Sequence, residues 1–224
     1  MADLSNFYDD VFPFVPDCSE AVVKHAIRRS LIEFLRSSLV WEEETTAGTT
    51  ATSGDYQVST SVSVGKVVIV HVFYVVGIDS NGTETVIYPS TSFSSTLYDI
   101  GYSSAERFEF IHPDIIRIKP TPDTDYASLK TKVALTLGLN TTYSTVPDEV
   151  LHRYGDFIPS GALMRLMSMP KKPYTDIVEA SKHRKDFQRG IKMARLAALK
   201  NNTPSVLMVD LPTTRYAGDE AVNQ

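Results

Sequence analysis

Five histidines, a single cysteine and two runs of acidic residues are the groups with which this chain of 224 residues could do chemistry. His25, His71, His112, His152 and His183 stand at unrelated spacings. No His-Glu-x-x-His sets two imidazoles on one helix face, and no Cys-x-x-Cys accompanies them, so neither a metal nor a cofactor is expected. Gly-x-Gly-x-x-Gly, a Walker loop and a Gly-x-Ser-x-Gly elbow are all absent, which leaves nucleotide binding and serine hydrolysis without local support. Asp9/Asp10 and Glu42/Glu43/Glu44 fall in segments expected to be exposed, where a carboxyl lacks the desolvation that would raise its pKa for acid catalysis. Cys18 lies at an expected helix N-terminus, a setting that favours thiolate, yet no histidine follows at a triad-like position. His112, Asp114 and Asp99 have no motif joining them. The chain is therefore expected not to be an enzyme.

Composition agrees with a folded, non-spanning protein. A hydrophobic content of 42% suffices for a core. The longest apolar run, "VVIVHVFYVVGI" (Val67 to Ile78), falls short of the roughly 20 residues that cross a bilayer. One cysteine cannot form an internal disulfide, and the first residues lack a basic region followed by an apolar run, so a cytosolic setting is expected. The net charge of −5 hides a division: residues 147–200 carry 11 Lys/Arg against 6 Asp/Glu, so that segment is +5 and the remainder −10. Opposite fields on two parts of one chain suit head-to-side association between copies, or a basic surface near a polyanion.

The elements that position these charges can be read from periodicity. Residues 1–16, with Phe7, Tyr8, Phe12, Pro13, Phe14 and Pro16, are expected to form an extended arm, because the prolines oppose a helix. Asp17 and Glu20 have capping-box spacing. Val23, Ile27, Leu31, Phe34 and Leu35 then share one side of a helix running to about Leu39, closed by Trp41. From Glu42 the texture turns to Thr, Val and Tyr punctuated by Gly and Asn, and predicts strands near 42–47, 56–64, 66–76, 84–88, 106–111, 114–119 and 129–137. A second helix opens at Pro147, with Asp148 and Glu149 at the positive end of its dipole. Its face is Val150, Leu151, Tyr154, Phe157, Ile158, Gly161 and Ala162. Pro159, on the opposite side, predicts a solvent-side kink or break there. A third helix, about Thr175 to Lys200, has a small-toothed face of Ile177, Ala180, Phe187, Ile191, Ala194 and Ala198.

The expected fold class is α+β: an antiparallel helical bundle of three main helices with a β-strand region inserted between the first and second, an N-terminal arm and a C-terminal tail. The expected division is an arm (1–16), a helical ring-forming body (17–41 and 146–200), a β insertion (42–145) and a C-terminal extension (201–224). On the third helix, Lys182, Lys185, Arg189, Lys192 and Lys200 project within about 80° of each other, opposite Phe187 and Ile191. Met193 and Leu196 border this basic stripe. Arg184 and Arg195 flank the apolar side and would need partners if an interface closed over them. A solvated face, a subunit interface and nucleic-acid contact are the three readings of the stripe.

Three stretches carry a resemblance. They are "FPFVPDCSEAVVKHAIRRSLIEFLRSSLVWEEE" (Phe12 to Glu44), "IIRIKPTP" (Ile115 to Pro122), and Val146 to Asn201 with its "GALMRLMSMPKKPY" turn and Arg/Lys/Ala-rich helix. Together they resemble the head-to-tail adaptor proteins of tailed bacteriophages, called connector, gatekeeper or upper tail-tube proteins in short-tailed phages. Pro159 departs from that pattern. The resemblance implies a virion protein of the neck and tail, assembled in the host cytoplasm as a twelve-fold ring beneath the capsid portal. Its implied partners are its own copies, the portal, the tail nozzle or other tail proteins, and genomic DNA that passes without sequence-specific contact; no membrane is involved. It further implies a C-terminal extension that grips the portal, here through Val206, Leu207, Val209, Leu211 and Tyr216, and a subunit interface or DNA-channel wall that takes in Arg184, Lys185, Arg189, Lys192 and Arg195. The alternative is a nucleic-acid-binding module acting through the basic helix.

Overall fold

The structure, a computed structural model, describes residues 2–49, 54–62, 66–90, 106–119, 126–139 and 144–200. A short strand β1 (Ala2–Asp3) leads through a 3-10 turn (Leu4–Phe7), helix α1 (Tyr8–Val11) and a second 3-10 turn (Phe12–Phe14) to helix α2 (Glu20–Ser38). Seven strands follow: β2 (Glu42–Thr49), β3 (Asp55–Val58), β4 (Val67–Ile78), β5 (Glu84–Pro89), β6 (Arg107–Ile111), β7 (Ile115–Lys119) and β8 (Ser128–Leu137). The chain continues through β9 (Thr145–Val146), α3 (Asp148–Tyr154), α4 (Phe157–Met167) and α5 (Ile177–Leu199).

The seven strands close into a barrel in the order β2-β3-β7-β6-β5-β4-β8, with β8 returning to β2. This overturns the expected α+β bundle of three main helices with an inserted strand region: among the described residues the fold is a closed seven-stranded barrel accompanied by five α-helices. Alternating side chains reveal that each strand buries one face, but not that those faces converge on a common axis. The seam shows what closes it. Every residue of β8 from Val133 to Leu137 is buried, because one face of this strand lines the barrel while the other lies beneath α2. There Thr136 donates its hydroxyl to the Ile32 carbonyl at 3.3 Å. The long β4 follows β8 from Leu137 to Ser128 through two register shifts; such bulges add the local twist a closing sheet requires.

At the β3–β7 pair the Asp55 carboxylate accepts two hydrogen bonds from Arg117, Nε at 2.7 Å and Nη2 at 2.9 Å. The Arg117 hydrogen bond holds the Asp55 carboxyl below its usual range. Because the folded value lies below the unfolded one, the stabilisation is complete above about pH 4 and is lost as pH falls through the lowered value. Asp55→Asn is expected to cost roughly 1 kcal/mol at neutral pH and to flatten the acid limb of a urea-midpoint titration.

Three local expectations are also corrected. The N-terminal residues are not an extended arm: Asp3 accepts the Ser5 amide at 2.9 Å to start a turn, and Leu4, Phe7, Val11 and Val15 are buried at near-helical spacing. Pro13 sits in the first turn of its 3-10 segment, where no N–H is needed. For α2, Ser19 and not Asp17 holds the N-cap position, and its carbonyl accepts the Val22 and Val23 amides at 3.0 and 3.1 Å. The break in the second predicted helix falls at Gly155–Asp156, between α3 and α4, and Pro159 is buried instead of facing solvent. As the third residue of α4, Pro159 has no upstream carbonyl within its own helix to lose, so the proline begins a helix where it was expected to kink one.

Candidate functional site

Helices α2, α4 and α5 pack on one another, and α2 joins them to the barrel wall. Two glycines let α4 and α5 approach. A Cβ at Gly161 of α4 would lie 2.6 Å from the Phe187 ring of α5, and a Cβ at Gly190 of α5 would lie 2.3 Å from Phe157 of α4. Each helix thus inserts a phenyl ring over the other's glycine, which fixes their register and orientation. Arg28 of α2 donates to the Gly138 carbonyl at 2.6 Å, tying the helix to the end of β8.

This packing orients α5 so that its basic stripe faces outward. Phe187, Gly190, Ala194 and Ala198 are buried, while Lys182, Arg184, Lys185, Arg189, Lys192 and Arg195 are exposed. Large aliphatic side chains share that outward surface: Val178 is 69% exposed, Met193 54%, Leu196 55% and Leu199 59%. Ile177, expected on the inward face, is also exposed, because the helix begins beyond the end of α4. Among the described residues, Lys182 pairs with Glu179 at 2.5 Å and Arg189 reaches Asp186 at 3.8 Å, both within α5. Lys185 and Lys192 make no ion pair there. Arg184 and Arg195 are exposed in the single subunit, and Arg195 acts electrostatically on His71 of β4.

Although the His71 side chain is exposed at the surface of β4, partial desolvation by its surroundings, reinforced by that Arg195 charge, lowers its pKa. Its stabilisation is therefore complete above the unfolded value near 6.5 and is lost as pH falls through the lowered one. Arg195→Gln is expected to shrink the decline in urea midpoint between pH 7.5 and pH 5.5, and an unchanged decline would uncouple the two residues.

A second surface was missed by sequence reasoning. The outer side of α2, the end of α4 and Leu139 enclose an open groove of about 870 Å³. Arg29, Arg36 and Arg165 line it together with His25 and Glu33, and Val22, Ile32, Leu139 and Met169 supply its apolar lining. Arg165 donates to Glu33, and its Nε is buried without a hydrogen-bond partner in the described structure. Arg29 and Arg36 make no ion pair among the described residues. The recurrence of His25, Arg29 and Arg36 at steps of four and seven, opposite the apolar stripe of α2, is the signal the sequence offers for it.

Other candidate groups are placed as follows. Cys18 is buried and donates to the Tyr174 hydroxyl at 3.5 Å; this contact, followed by burial, pushes the Tyr174 pKa up to about 12. Asp114 accepts from Gln57 Nε2 at 3.0 Å, while His112 is exposed at the β6–β7 corner and Asp99 lies outside the described residues. Glu42 is bridged to Lys132 at 2.6 Å. Among the described residues no three of His, Cys, Asp and Glu converge as metal ligands, and no helix is long and apolar enough to cross a membrane. Val206, Leu207, Val209, Leu211 and Tyr216, the expected portal-binding residues, lie outside the described residues. No protein-family model matches the chain, and no curated protein matches it either.

Proposed function

We propose that this protein is a structural virion component that assembles as a ring, twelve-fold by its resemblance to phage adaptors, joins the capsid portal to the tail and surrounds the DNA exit channel. The observation that carries this reading is the outward face of α5, where four half-exposed aliphatic side chains alternate with cations and nothing in the chain's own described fold covers them. Apolar teeth set among charges are the composition of a surface that a protein partner desolvates. A contact between unlike surfaces of identical subunits, repeated until the rotation closes, makes a ring. The overall charge of −5 suits a channel wall, since a lumen that gripped phosphates tightly would retard passage of DNA.

Electron microscopy of the purified protein, alone and mixed with portal, tests the reading: rings, or a collar on the portal, are expected, and a solitary subunit under both conditions would defeat it. Removing residues 202–224 is expected to weaken portal binding while leaving the melting temperature unchanged. Full binding by the shortened protein would dismiss the tail as the grip.

Lys185 and Lys192, exposed and without an ion pair among the described residues, favour one second reading, a nucleic-acid-binding module. It requires a DNA affinity that falls with salt and falls again in a Lys185→Ala, Arg189→Ala, Lys192→Ala variant. Affinity independent of both would eliminate it.

A further inference from the structure

The groove along α2 has a counterpart elsewhere on the same molecule. The first 23 residues contain five acids and no lysine or arginine. Folded, this segment buries Leu4, Phe7, Val11 and Val15 and presents Asp9, Asp10, Pro13, Phe14, Pro16 and Asp17 outward. Asp9, Asp10 and Asp17 have no ion-pair partner among the described residues. In their midst Phe14 is 55% exposed, an aromatic knob on a negatively charged shoulder. The groove is its complement: Arg29 and Arg36, with Arg165 paired to Glu33, surround an apolar lining that includes Leu139, itself 58% exposed.

A chain cannot fill its own groove with this shoulder. Its Phe14 ring rests edge-on against His183 of α5 at 6.3 Å between ring centres, whereas the groove runs along the outer side of α2 and ends at Arg165 and Met169. Two unlike, complementary patches on one molecule make a heterologous contact, which propagates from copy to copy.

We propose that the Arg29–Arg36–Arg165 groove receives the acidic, Phe14-bearing shoulder of a second copy of this chain. The proposal rests on the ring reading and adds to its α5 contact a second pair of contacting faces. The aromatic ring enters the apolar lining beside Leu139 and Met169, while Asp9, Asp10 and Asp17 meet Arg29 and Arg36, two guanidiniums without a carboxylate partner among the described residues. Arginine suits this position because its planar fork binds carboxylates in pairs.

Charge exchange tests the pairing. All four positions are exposed, so the variants are expected to melt with the full-length wild type. Sedimentation velocity, alone and with portal, is expected to show concentration-dependent association of the wild type. Asp9→Lys with Asp10→Lys, and separately Arg29→Glu with Arg36→Glu, are each expected to weaken it by about tenfold or more, and the four changes combined in one chain to restore most of it. Phe14→Ala, melting as the wild type, is expected to weaken it as well. If the reversed variants associate like the wild type, or the combined variant fails to recover, the pairing is wrong; rings that still form in those variants would leave the ring reading standing. A wild type that never associates, alone or on the portal, would remove both.

Discussion

Gly190→Ala is expected to destabilise the fold by about 2 kcal/mol, although alanine is the better helix former by about 1 kcal/mol. The added methyl would sit 2.3 Å from Cγ and 2.6 Å from Cβ of Phe157. Neither atom is the far end of a flexible chain, so the ring cannot swing aside without α4 moving. Gly161→Ala meets Phe187 at 2.6 Å and the Ser30 Cβ at 2.9 Å, and should be at least as costly because α2 closes that site from a third direction. For a chain of this size such losses lower the melting temperature by roughly 4–8 °C. The cause can be isolated: in a Phe157→Leu background Gly190→Ala should cost less, giving a coupling of about 0.5–2 kcal/mol in a double-mutant cycle. Strict additivity would mean that the two residues do not oppose each other across the helix pair.

Met193→Asp combined with Leu196→Asp is expected to abolish ring assembly while leaving the melting temperature nearly unchanged. Both side chains are more than half exposed in the single subunit, so their loss removes little from the fold and surface changes of this kind remain within about 0.5 kcal/mol. In an assembled contact each would bury apolar surface worth about 1.5–3 kcal/mol, and a carboxylate in its place would add a desolvation cost. Together they are expected to weaken association by more than about a hundredfold, at about 1.4 kcal/mol per tenfold. Particle counts by electron microscopy and mass by sedimentation read this directly. Rings that persist in the double variant would move the subunit contact off α5.

The fate of individual residues shows how far the linear pattern reaches. Val23, Ile27, Leu31, Phe34 and Leu35 are all buried in α2, because the 3.6-residue period is a local property that any apolar partner satisfies. Six of the seven strand runs lie within two residues of their predicted ranges, since β-branched alternation marks a half-buried strand whatever its neighbours are, while the run at 56–64 is cut short, with β3 ending at Val58. Pro159 and Pro13 depart from the linear pattern for one reason: a proline is disruptive inside a helix and harmless in its first turn, and where a helix begins depends on what the preceding residues pack against. The basic stripe of α5 was legible because a charged face needs no tertiary partner to define it. The groove beside α2 was not, since it takes Arg165 and Met169 from a segment more than a hundred residues away.

Sequence alone determined the course of α2, of α5 and of most barrel strands, the separation of charge between residues 147–200 and the rest, and the outward placement of Lys185, Arg189 and Lys192. Only the tertiary structure decided that seven strands close on themselves through β8, that Phe157 and Phe187 interlock over Gly190 and Gly161, and that an arginine-lined groove and an acidic, Phe14-bearing shoulder exist on one molecule. The physical reason is range: periodicity records what each residue faces within a few neighbours, while closure, register and grooves arise from contacts between residues far apart in the chain, which no local pattern encodes.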